Sequence, residues 1–351
     1  MAKKRMTGAA VLTFEHISAV VRAVGLDGFM DDIISGLRCA GTNLDTQATV
    51  VLERSGFQYS KPDVGLIEWM PSMELGRAVG IKTVGYHPSN PTQRRLPSVL
   101  STTSIHDTAT GQLTALVDST LLTALRTGAA SAVVTHILAL PTAAVVGIVG
   151  AGAQAVTQIH AISRVRQIKR IIAFDTDPAV SATLAARLPL AVPVTVVETA
   201  AEAIAQADIV CSATTVDIGA GPVLPDHGYL PHVHINAVGS DFPGKMEVPV
   251  ALLRAALVVP DDPPQCLREG ESQQLELSEL GPSLPDLISN AAQYERYQQE
   301  ITVFDSTGWS LEDLIVAEIA LDHARRLGIG MYTDLQSTPA DPYSPYEDVL
   351  R

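Results

Sequence analysis

A group of small residues stands directly after a short apolar segment in the middle of the chain. Gly150, Gly152 and Ala155 have the spacing G-x-G-x-x-A, and the apolar segment 144–149 comes before them. In this pattern the first glycine permits a tight turn from strand to helix, and the second lets the backbone approach a pyrophosphate. The N–H groups at the start of that helix can then bind the anion. Taken alone, the same residues are equally compatible with a plain tight turn.

A carboxylate stands where such a site would recognise a ribose. Asp175 follows the apolar segment 170–174 and lies about 20 residues beyond Ala155, as in dinucleotide sites. It can accept hydrogen bonds from both ribose hydroxyls of NAD and would repel the 2′-phosphate of NADP. The next residue is Thr176 rather than an arginine. The pattern predicts a site for NAD rather than NADP, with a strand-end cap as the other interpretation of Asp175.

Arg126 is the only formally charged residue in the otherwise apolar segment 119–140. A buried guanidinium needs partners because its desolvation is costly, and its planar fork suits the carboxylate of a substrate. An internal ion pair or a helix end near solvent is the alternative. The segment is long enough to span a bilayer, but the central charge and six Ser or Thr residues favour a buried helix of a soluble protein.

Three further charged residues stand in segments that have the pattern of strands. Arg54 ends the segment ATVVLER, Glu68 lies within LIEWMP, and Lys82 lies within GIKTVGY. Each could face solvent, because alternate residues of a strand point to opposite faces. Each could equally belong to a site for a small charged ligand.

Asp241 follows the apolar segment 232–238 after two small residues. Ligands of doubly wound sheets bind at the carboxyl ends of strands, so a carboxylate at this point would lie beside a nicotinamide ring. A turn-stabilising aspartate is the alternative. His232 and His234 alternate along the same segment, but no third ligand stands at metal-like spacing, so no metal site is predicted.

The segments around these residues alternate between strand and helix patterns in the second half of the chain. Apolar strands that alternate with helices indicate a parallel sheet covered on both faces. Strands are predicted at 144–149, 170–174, 193–197, 208–212, 232–238, 256–259 and 302–305, with a helix near 200–206.

The first part of the chain mixes helix and strand signals, and its turns are marked by Gly, Pro and Asn. Helices are predicted at 14–38, at 119–140 and, much later, at 312–327, which ends at Gly328. Strands are predicted at 48–54, 65–70 and 80–86, then a loop at 87–97, then a hairpin of 98–106 and 112–117 with Gly111 in its turn. The polar segment 337–351 is expected to be disordered or to lie over the surface.

The composition limits the class of protein. A length of 351 residues suits about two domains, and a net charge of −14 without a basic tail argues against nucleic-acid binding. Three widely spaced cysteines argue against a disulfide framework and fit a reducing cytoplasm. The basic residues at the start are followed by no long apolar run, so no signal peptide is predicted. These features predict an acidic, soluble, cytoplasmic enzyme.

Several phrases of the sequence resemble the ornithine cyclodeaminase/μ-crystallin family. They are IKTVGYHPSNP, LTALVDSTLLTALRTGAASAV, GAGAQAVTQIHAIS, HINAVGSDFPGK, LREGESQQL and VFDSTG, and the resemblance runs from about residue 10 to about residue 330. Within the family, LIEWMP, LREGESQQ and GPVLPD look most like the bacterial lysine cyclodeaminases.

The resemblance implies an α/β fold with a Rossmann-type, doubly wound NAD-binding domain and a discontinuous α+β substrate and dimerisation domain. Residues 1–130 with 312–351 would form the substrate domain, and residues 131–311 would form the NAD-binding domain. It also implies a homodimer that binds an amino-acid substrate in the cleft between the domains, without nucleic acid or membrane as a partner.

The resemblance also implies roles for particular residues. Arg54, Lys82 and Arg126 would hold the α-carboxylate of the substrate, Glu68 would lie near its amino groups, and Asp241 would be the acid/base residue. Glu68 and Lys82 would complete the catalytic set. The cofactor would contact Thr127, Gly150, Gly152, Ala153, Gln154, Asp175, Thr176, Ser212, Ala213, Thr214, Val238, Ser240 and Ser306, with Thr307 close to the nicotinamide.

The family chemistry is redox-neutral. NAD⁺ takes a hydride from the α-carbon of L-lysine, the side-chain amine attacks the resulting imine, ammonia leaves, and the NADH just formed reduces the cyclic imine to L-pipecolate. The attacking amine must be neutral, so a carboxylate that accepts its proton has a role. Ornithine would give L-proline in the same way. The alternatives are an NAD(P)H-dependent imine or ketimine reductase, an amino-acid dehydrogenase, and a ligand-binding protein without catalysis.

Overall fold

The computed structural model describes residues 8–350 and contains two sheets of different construction. An eight-stranded sheet is mixed, and a seven-stranded sheet is wholly parallel. The strands of the described residues are β1 (Ala9–Leu12), β2 (Thr49–Val51), β3 (Ser55–Tyr59), β4 (Gly65–Glu74), β5 (Ala78–Tyr86), β6 (Val99–Asp107), β7 (Leu113–Asp118), β8 (Val145–Val149), β9 (Arg170–Phe174), β10 (Val194–Val196), β11 (Ile209–Ser212), β12 (His234–Ala237), β13 (Leu257–Pro260), β14 (Thr302–Asp305) and β15 (Met331–Thr333).

Helices connect and cover these strands. The α-helices within residues 8–350 are α1 (Phe14–Val24), α2 (Leu26–Thr42), α3 (Asn90–Gln93), α4 (Thr120–Leu138), α5 (Ala153–Ser163), α6 (Pro178–Ala182), α7 (Leu184–Arg187), α8 (Ala200–Ile204), α9 (Val250–Ala255), α10 (Pro263–Glu269), α11 (Leu284–Ser289), α12 (Ala291–Tyr294), α13 (Ser310–Leu327) and α14 (Glu347–Leu350). Short 3₁₀ helices lie at Glu271–Gln274, Leu277–Glu279 and Glu295–Gln299.

The mixed sheet has the order β15-β1-β7-β6-β5-β4-β2, and β3 pairs with β4. Neighbouring strands are antiparallel except for β1 and β7, which are parallel. The predicted hairpin is confirmed as β6 and β7, and Gly111 in its turn has a φ of +75°. The helices α1, α2, α4 and α13 pack their apolar side chains against one face of this sheet and build the largest core.

The parallel sheet has the order β10-β9-β8-β11-β12-β14-β13. Alternate residues of its strands enter separate cores on its two faces: Ile148 and Ile171 face one, whereas Val149 and Ile172 face the other. The strand order reverses direction at β8, which creates a crevice beside its carboxyl end. The predicted doubly wound α/β fold is confirmed.

The helix α4 lies at the centre of the molecule and confirms the helix predicted at 119–140. It is long and apolar enough to cross a membrane, but 83% of its most apolar window is buried within the protein, as in the core helix of a soluble protein. The buried guanidinium of Arg166 donates to the carbonyl groups of Thr135, His136 and Ala139 and so satisfies the end of the helix. The helix therefore presents Arg126 from a rigid position.

Several predicted boundaries were wrong. The helix expected at 14–38 is two helices, because Gly25 between them has a φ of +89° and breaks the hydrogen-bond ladder. The loop at 87–97 contains the short helix α3. The strand expected at 48–54 ends at Val51, so Arg54 lies in the connection to β3. The exposed segment 337–350 includes one helical turn, α14.

Candidate active site

The register of the parallel sheet brings four strand ends together. Val149 pairs with Ser212, Ser212 with Ala237, and Ala237 with Asp305. The segments that follow these strands therefore meet at one edge of the sheet, where doubly wound folds bind their ligands. These segments are 150–152, 213–214, 238–241 and 306–308.

The turn after β8 has the geometry that a pyrophosphate needs. Gly150 has a φ of +90°, and a Cβ at this position would lie 2.6 Å from the carbonyl oxygen of Ala213. Both the backbone conformation and the steric clash therefore exclude a side chain here. At Gly152 a Cβ would have nothing within 4 Å, and no side chain caps the helix α5 that starts at Ala153. The start of α5 thus lacks a side-chain cap and has open space beside Gly152, which fits an anion at a helix N-terminus.

Asp175 lies at the same turn. Its Oδ2 accepts a hydrogen bond of 2.7 Å from the backbone N–H of Ala151, and its Oδ1 accepts one of 2.9 Å from Asp177. Each carboxylate oxygen has a second lone pair, so acceptor capacity remains for ribose hydroxyls. Arg187 donates to the carbonyl groups of Ala151 and Gly152 and so stabilises the turn. The sequence pattern did not point to this residue.

The remaining predicted cofactor residues surround this edge. Ser212 ends β11, and Ala213 and Thr214 follow it. Val238 and Ser240 follow β12, and Ser306 follows β14. Ser306 has a buried hydroxyl without a hydrogen-bond partner in the described protein. Thr127 lies on α4, Gln154 is the second residue of α5, and Thr176 follows Asp175. The hydroxyl of Ser240 instead donates within the protein, to the carbonyl oxygen of Lys245 at 2.6 Å.

A buried carboxylate joins two of these segments. Glu247 accepts from the backbone N–H and the hydroxyl of Thr214, both at 2.7 Å, and from the N–H of Gly239 at 2.8 Å. Burial raises its pKa, and these hydrogen bonds partly oppose the rise. Glu271 and Asp305 anchor further loops of the same edge through backbone N–H groups. The edge is therefore held by carboxylates that the sequence did not reveal.

Two of the predicted cations share one carboxylate of α13. The ammonium of Lys82, on β5, lies 2.8 Å from Asp313, and Nε of Arg126 lies 3.2 Å from the same side chain. Nη1 of Arg126 donates to Glu312 at 2.9 Å. Burial lowers the pKa of Lys82 to about 8, although Asp313 opposes the fall. Arg126 thus has the internal ion pair that was the alternative to a substrate clamp, while Nη2 has no acceptor among the described residues.

Arg54 reaches the same place from the connection between β2 and β3. Its Nε lies 2.8 Å from Glu269 and its Nη1 lies 3.7 Å from Glu68. Its Nη2 donates to the carbonyl groups of Thr307 at 2.5 Å and Gly308 at 3.2 Å. The last two residues of the segment VFDSTG therefore bind this guanidinium through their backbone carbonyl groups.

Gly308 brings the two guanidinium groups together. Its φ is +94°, and a Cβ there would lie 2.7 Å from Nη2 of Arg126. Asp261 fixes this glycine by accepting from its N–H at 2.6 Å and from the hydroxyl of Thr307 at 2.9 Å. Arg54 and Arg126 consequently lie on either side of one turn, next to the cofactor edge.

The two predicted proton-transfer carboxylates face the same cluster. Burial raises the pKa of Glu68, Arg54 opposes the rise, and the charges of Glu269 and Asp241 add to it. Asp241 has a side chain that is 46% exposed and an Oδ1 that lies 3.0 Å from the ammonium of Lys245. The four predicted substrate-binding residues and the predicted acid/base residue Asp241 therefore belong to one electrostatically connected group.

Several charged residues of this group were not anticipated. Glu269 and Lys245 lie within segments that carried the family resemblance, LREGESQQL and GSDFPGK. The resemblance therefore pointed to these segments, but not to the two residues themselves. Glu312 and Asp313 had the pattern of ordinary acidic residues in the first turn of a helix. Only their burial reveals the difference, since both side chains are at most 3% exposed.

A parallel doubly wound sheet with this glycine turn, opening onto a buried cluster of cations and carboxylates, defines a dinucleotide-binding α/β enzyme. The profile of the ornithine cyclodeaminase/mu-crystallin family matches residues 18–327, and the chain belongs to that family. The resemblance found in the sequence is thereby confirmed.

The comparisons with individual proteins cover nearly the whole chain. The L-lysine cyclodeaminase of Streptomyces rapamycinicus is 40% identical over 338 residues, which are 96% of this chain and 98% of that protein. A solved structure that addresses recognition of L-lysine, L-ornithine and L-2,4-diamino butyric acid by lysine cyclodeaminase has a TM-score of 0.93 and 43% identity, covering 97% of this chain and 99% of that chain. An archaeal alanine dehydrogenase dimer with bound NAD has a TM-score of 0.82 and 26% identity. This match covers 94% of this chain and 100% of that chain.

Proposed function

We propose that this protein is an NAD-dependent cyclodeaminase that converts L-lysine to L-pipecolate and ammonia. The observation that carries the proposal is the group of Arg54, Lys82, Arg126, Glu68 and Asp241 beside the cofactor edge. The three cations of this group can bind the α-carboxylate of a diamino acid. The two carboxylates of the group can bind the two amino groups of the same substrate. The near-complete coverage of the lysine cyclodeaminases supports the same substrate.

The cofactor fits the residues at the edge of the parallel sheet. The open space at Gly152 and the uncapped start of α5 suit its pyrophosphate, and Asp175 suits the ribose of NAD. The buried, unpartnered hydroxyl of Ser306 suits a polar group at the nicotinamide end. When bound there, NAD supplies a hydride acceptor for the α-carbon and returns the same hydride, so no external oxidant is needed.

The cations bind the α-carboxylate of lysine. Nη2 of Arg126 has no acceptor among the described residues, and the ammonium of Lys82 gives one of its three donors to Asp313. Glu312 and Asp313 hold Arg126 and Lys82 in place through ion pairs, and Glu269 holds Arg54 in the same way. A substrate carboxylate thus meets donors that are already oriented, which reduces the loss of side-chain entropy on binding.

The carboxylates manage the protons of the two amino groups. Asp241, assisted by Glu68, accepts the proton that the side-chain ammonium must lose before its nitrogen can attack. The bond between the α-carbon and the α-nitrogen breaks, and a bond between the α-carbon and the side-chain nitrogen forms. One ammonia leaves for each pipecolate, so the reaction is balanced without net oxidation. Holding lysine in a folded conformation favours this intramolecular attack.

Ornithine cyclodeamination to L-proline is the second candidate, because the two substrates differ by one methylene and a pocket discriminates that by only about 1–3 kcal/mol. An imine reductase or an amino-acid dehydrogenase, like the alanine dehydrogenase relative, is the third. A cyclodeaminase turns over with catalytic NAD and no added reductant, whereas a reductase consumes NADH in proportion to product.

The deciding experiment incubates the purified protein with L-lysine and L-ornithine separately, with a trace of NAD and no reductant. Ammonia and the cyclic product are measured by enzymatic assay and by mass. We expect ammonia and pipecolate in equal amounts from lysine, faster than ammonia and proline from ornithine. No ammonia from either amino acid would refute the cyclodeaminase proposal.

We also propose the division of the chain and its assembly. Residues 1–130 with 312–351 act as the substrate and dimerisation domain, and residues 131–311 act as the NAD-binding domain. The return of α13 to the first sheet, where it packs against β4 and β5, supports the discontinuous arrangement. A homodimer in the cytoplasm is the assembly and the location that we propose.

A further inference from the structure

Lys245 lies in the turn that follows β12, four residues after Asp241. The backbone of this turn is fixed from three sides: the N–H of Lys245 donates to Phe242 at 3.0 Å, and its carbonyl oxygen accepts from Ser240 at 2.6 Å and from Gln273 at 2.8 Å. The Lys245 side chain is only 9% exposed. The residue therefore leaves a rigid turn and has a buried, defined position.

The ammonium of Lys245 has two partners, one from each sheet. It lies 3.0 Å from Oδ1 of Asp241 and 4.9 Å from the centre of the Tyr86 ring. Tyr86 and Lys82 are four residues apart on β5 and so point to the same face. Burial lowers the pKa of Lys245, but Asp241 and Tyr86 more than offset this effect, and the pKa is raised. Lys245 is thus a buried charged group that contacts Tyr86 of the mixed sheet and Asp241 beside the parallel sheet.

Asp241 would otherwise face mainly like charges. Its negative charge acts on Glu68 of β4, on Glu269 of α10 and on Tyr86 of β5. Two carboxylates in one site disfavour each other's ionisation, whereas a cation favours it. Among the described residues, Lys245 is the cation that pairs directly with Asp241, whereas Arg54 is paired with Glu68 and Glu269, and Lys82 is paired with Asp313.

We propose that Lys245 is the positioning residue that pairs with the Asp241 carboxylate and orients it toward the amino group of the substrate. The inference rests on the proposed function, because it gives Asp241 the task of accepting a proton there. It predicts that Lys245 affects the chemical step and its pH dependence, while the α-carboxylate of the substrate is bound by other cations.

The test compares Lys245→Met, which keeps the length and removes the charge, with Lys245→Arg, which keeps the charge. The control is Lys169→Met, at an exposed lysine before β9. For Lys245→Met we expect kcat to fall roughly 10-fold to 100-fold, part of the 10²–10⁴ that a positioned acid or base contributes. The acidic limb of the kcat/KM profile should move to higher pH, and Lys245→Arg should restore both.

Circular dichroism and NADH binding establish that each variant is folded before its kinetics are compared. An unchanged kcat and pH profile in Lys245→Met would overturn the inference. A raised KM with an unchanged pH profile would also overturn it, because Lys245 would then be a ligand of the substrate carboxylate. Wild-type protein that releases no ammonia from lysine would instead refute the proposed function itself, so the two failures are distinguishable.

Discussion

Asp313 forms ion pairs with two cations at once, and this sharing defines the chemistry of the cluster at the scale of single residues. Lys82 and Arg126 are both buried, and both depend on this carboxylate. Arg126 also pairs with Glu312, whose pKa is raised by burial to about 8, so near neutral pH the two cations are not fully neutralised and attract a further anion. The low dielectric of a buried site strengthens that attraction. In the proposed function, the α-carboxylate of the substrate supplies the missing charge.

The pH dependence of substrate capture follows from Lys82. Because burial lowers the pKa of Lys82 to about 8, the protonated form that attracts a carboxylate disappears as the pH rises through about 8. We therefore expect kcat/KM for lysine to fall above that pH. In Lys82→Arg, whose guanidinium stays charged, this limb should move to higher pH. The amino groups of lysine titrate equally in both proteins, so an identical limb in both would contradict the assignment.

Asp241→Asn tests the proton acceptor without changing the size of the side chain. We expect kcat to fall by about 10²–10⁴, the usual contribution of a positioned acid or base. NADH binding, measured by fluorescence, should be unchanged because Asp175 and the glycine turn are untouched. Asp226→Asn, in an exposed loop, is the matched control. Retained turnover in Asp241→Asn would remove Asp241 from its role.

At the scale of elements, two glycines separate cofactor binding from helix packing. A Cβ at Gly152 would meet nothing within 4 Å, whereas a Cβ at Gly128 on α4 would lie 2.5 Å from the carbonyl oxygen of Thr157 on α5. The first glycine faces space, and the second lets two helices touch. Substitution by alanine should therefore affect different properties at the two positions.

Gly152→Ala should leave the melting temperature of the cofactor-free protein unchanged and weaken NAD binding by about tenfold or more, equivalent to about 1.4 kcal/mol. Gly128→Ala should lower the free energy of unfolding by about 1–3 kcal/mol through overpacking. Calorimetry and differential scanning fluorimetry measure the two effects. An unchanged NAD affinity in Gly152→Ala would place the pyrophosphate elsewhere.

At the scale of the whole molecule, the face of the mixed sheet opposite α13 is apolar. Ile67 and Trp69 alternate with buried residues of β4 and are 41% and 37% exposed. Phe57 pairs with Ile67 across β3 and β4 and stacks edge-on against Trp69, and Leu100 extends the row on β6. A contiguous apolar face of this kind is typical of an interface, and a second copy of the sheet is the partner that the homodimer proposal requires.

Ile67→Arg should dissociate the proposed dimer, because a charge would be buried without a partner at its centre. Light scattering coupled to size-exclusion chromatography should give the mass of a dimer for the wild type and of a monomer for the variant. Val196→Arg, at an equally exposed position on β10, is the control and should remain dimeric. A dimeric Ile67→Arg would exclude this face, and a monomeric wild type would refute the homodimer proposal.

Local patterns made much of the fold and cofactor site predictable. The strands β9 and β14 have the predicted bounds, and the turn at Gly150 and the carboxylate of Asp175 lie where their spacing placed them. Such features depend on residues close together in the sequence, whose periodicity and spacing directly express the backbone that they form. The break at Gly25 was not predicted because the helical spacing of apolar residues continues on both sides of it. That spacing gives no information about the positive φ of Gly25.

The sequence by itself determined the doubly wound sheet, the glycine turn and the identity of the charged residues that stand in apolar surroundings. Only the tertiary structure decided that Arg54 and Arg126 meet at Gly308, that Lys82 and Arg126 share Asp313, and that Glu269 and Glu312 hold the two guanidinium groups. The reason is physical: the ion pairs join residues as much as 231 positions apart, such as Lys82 and Asp313. The packing of sheets and helices decides which charged residues are buried next to each other. The sequence pattern alone does not contain the distances between residues that are far apart along the chain.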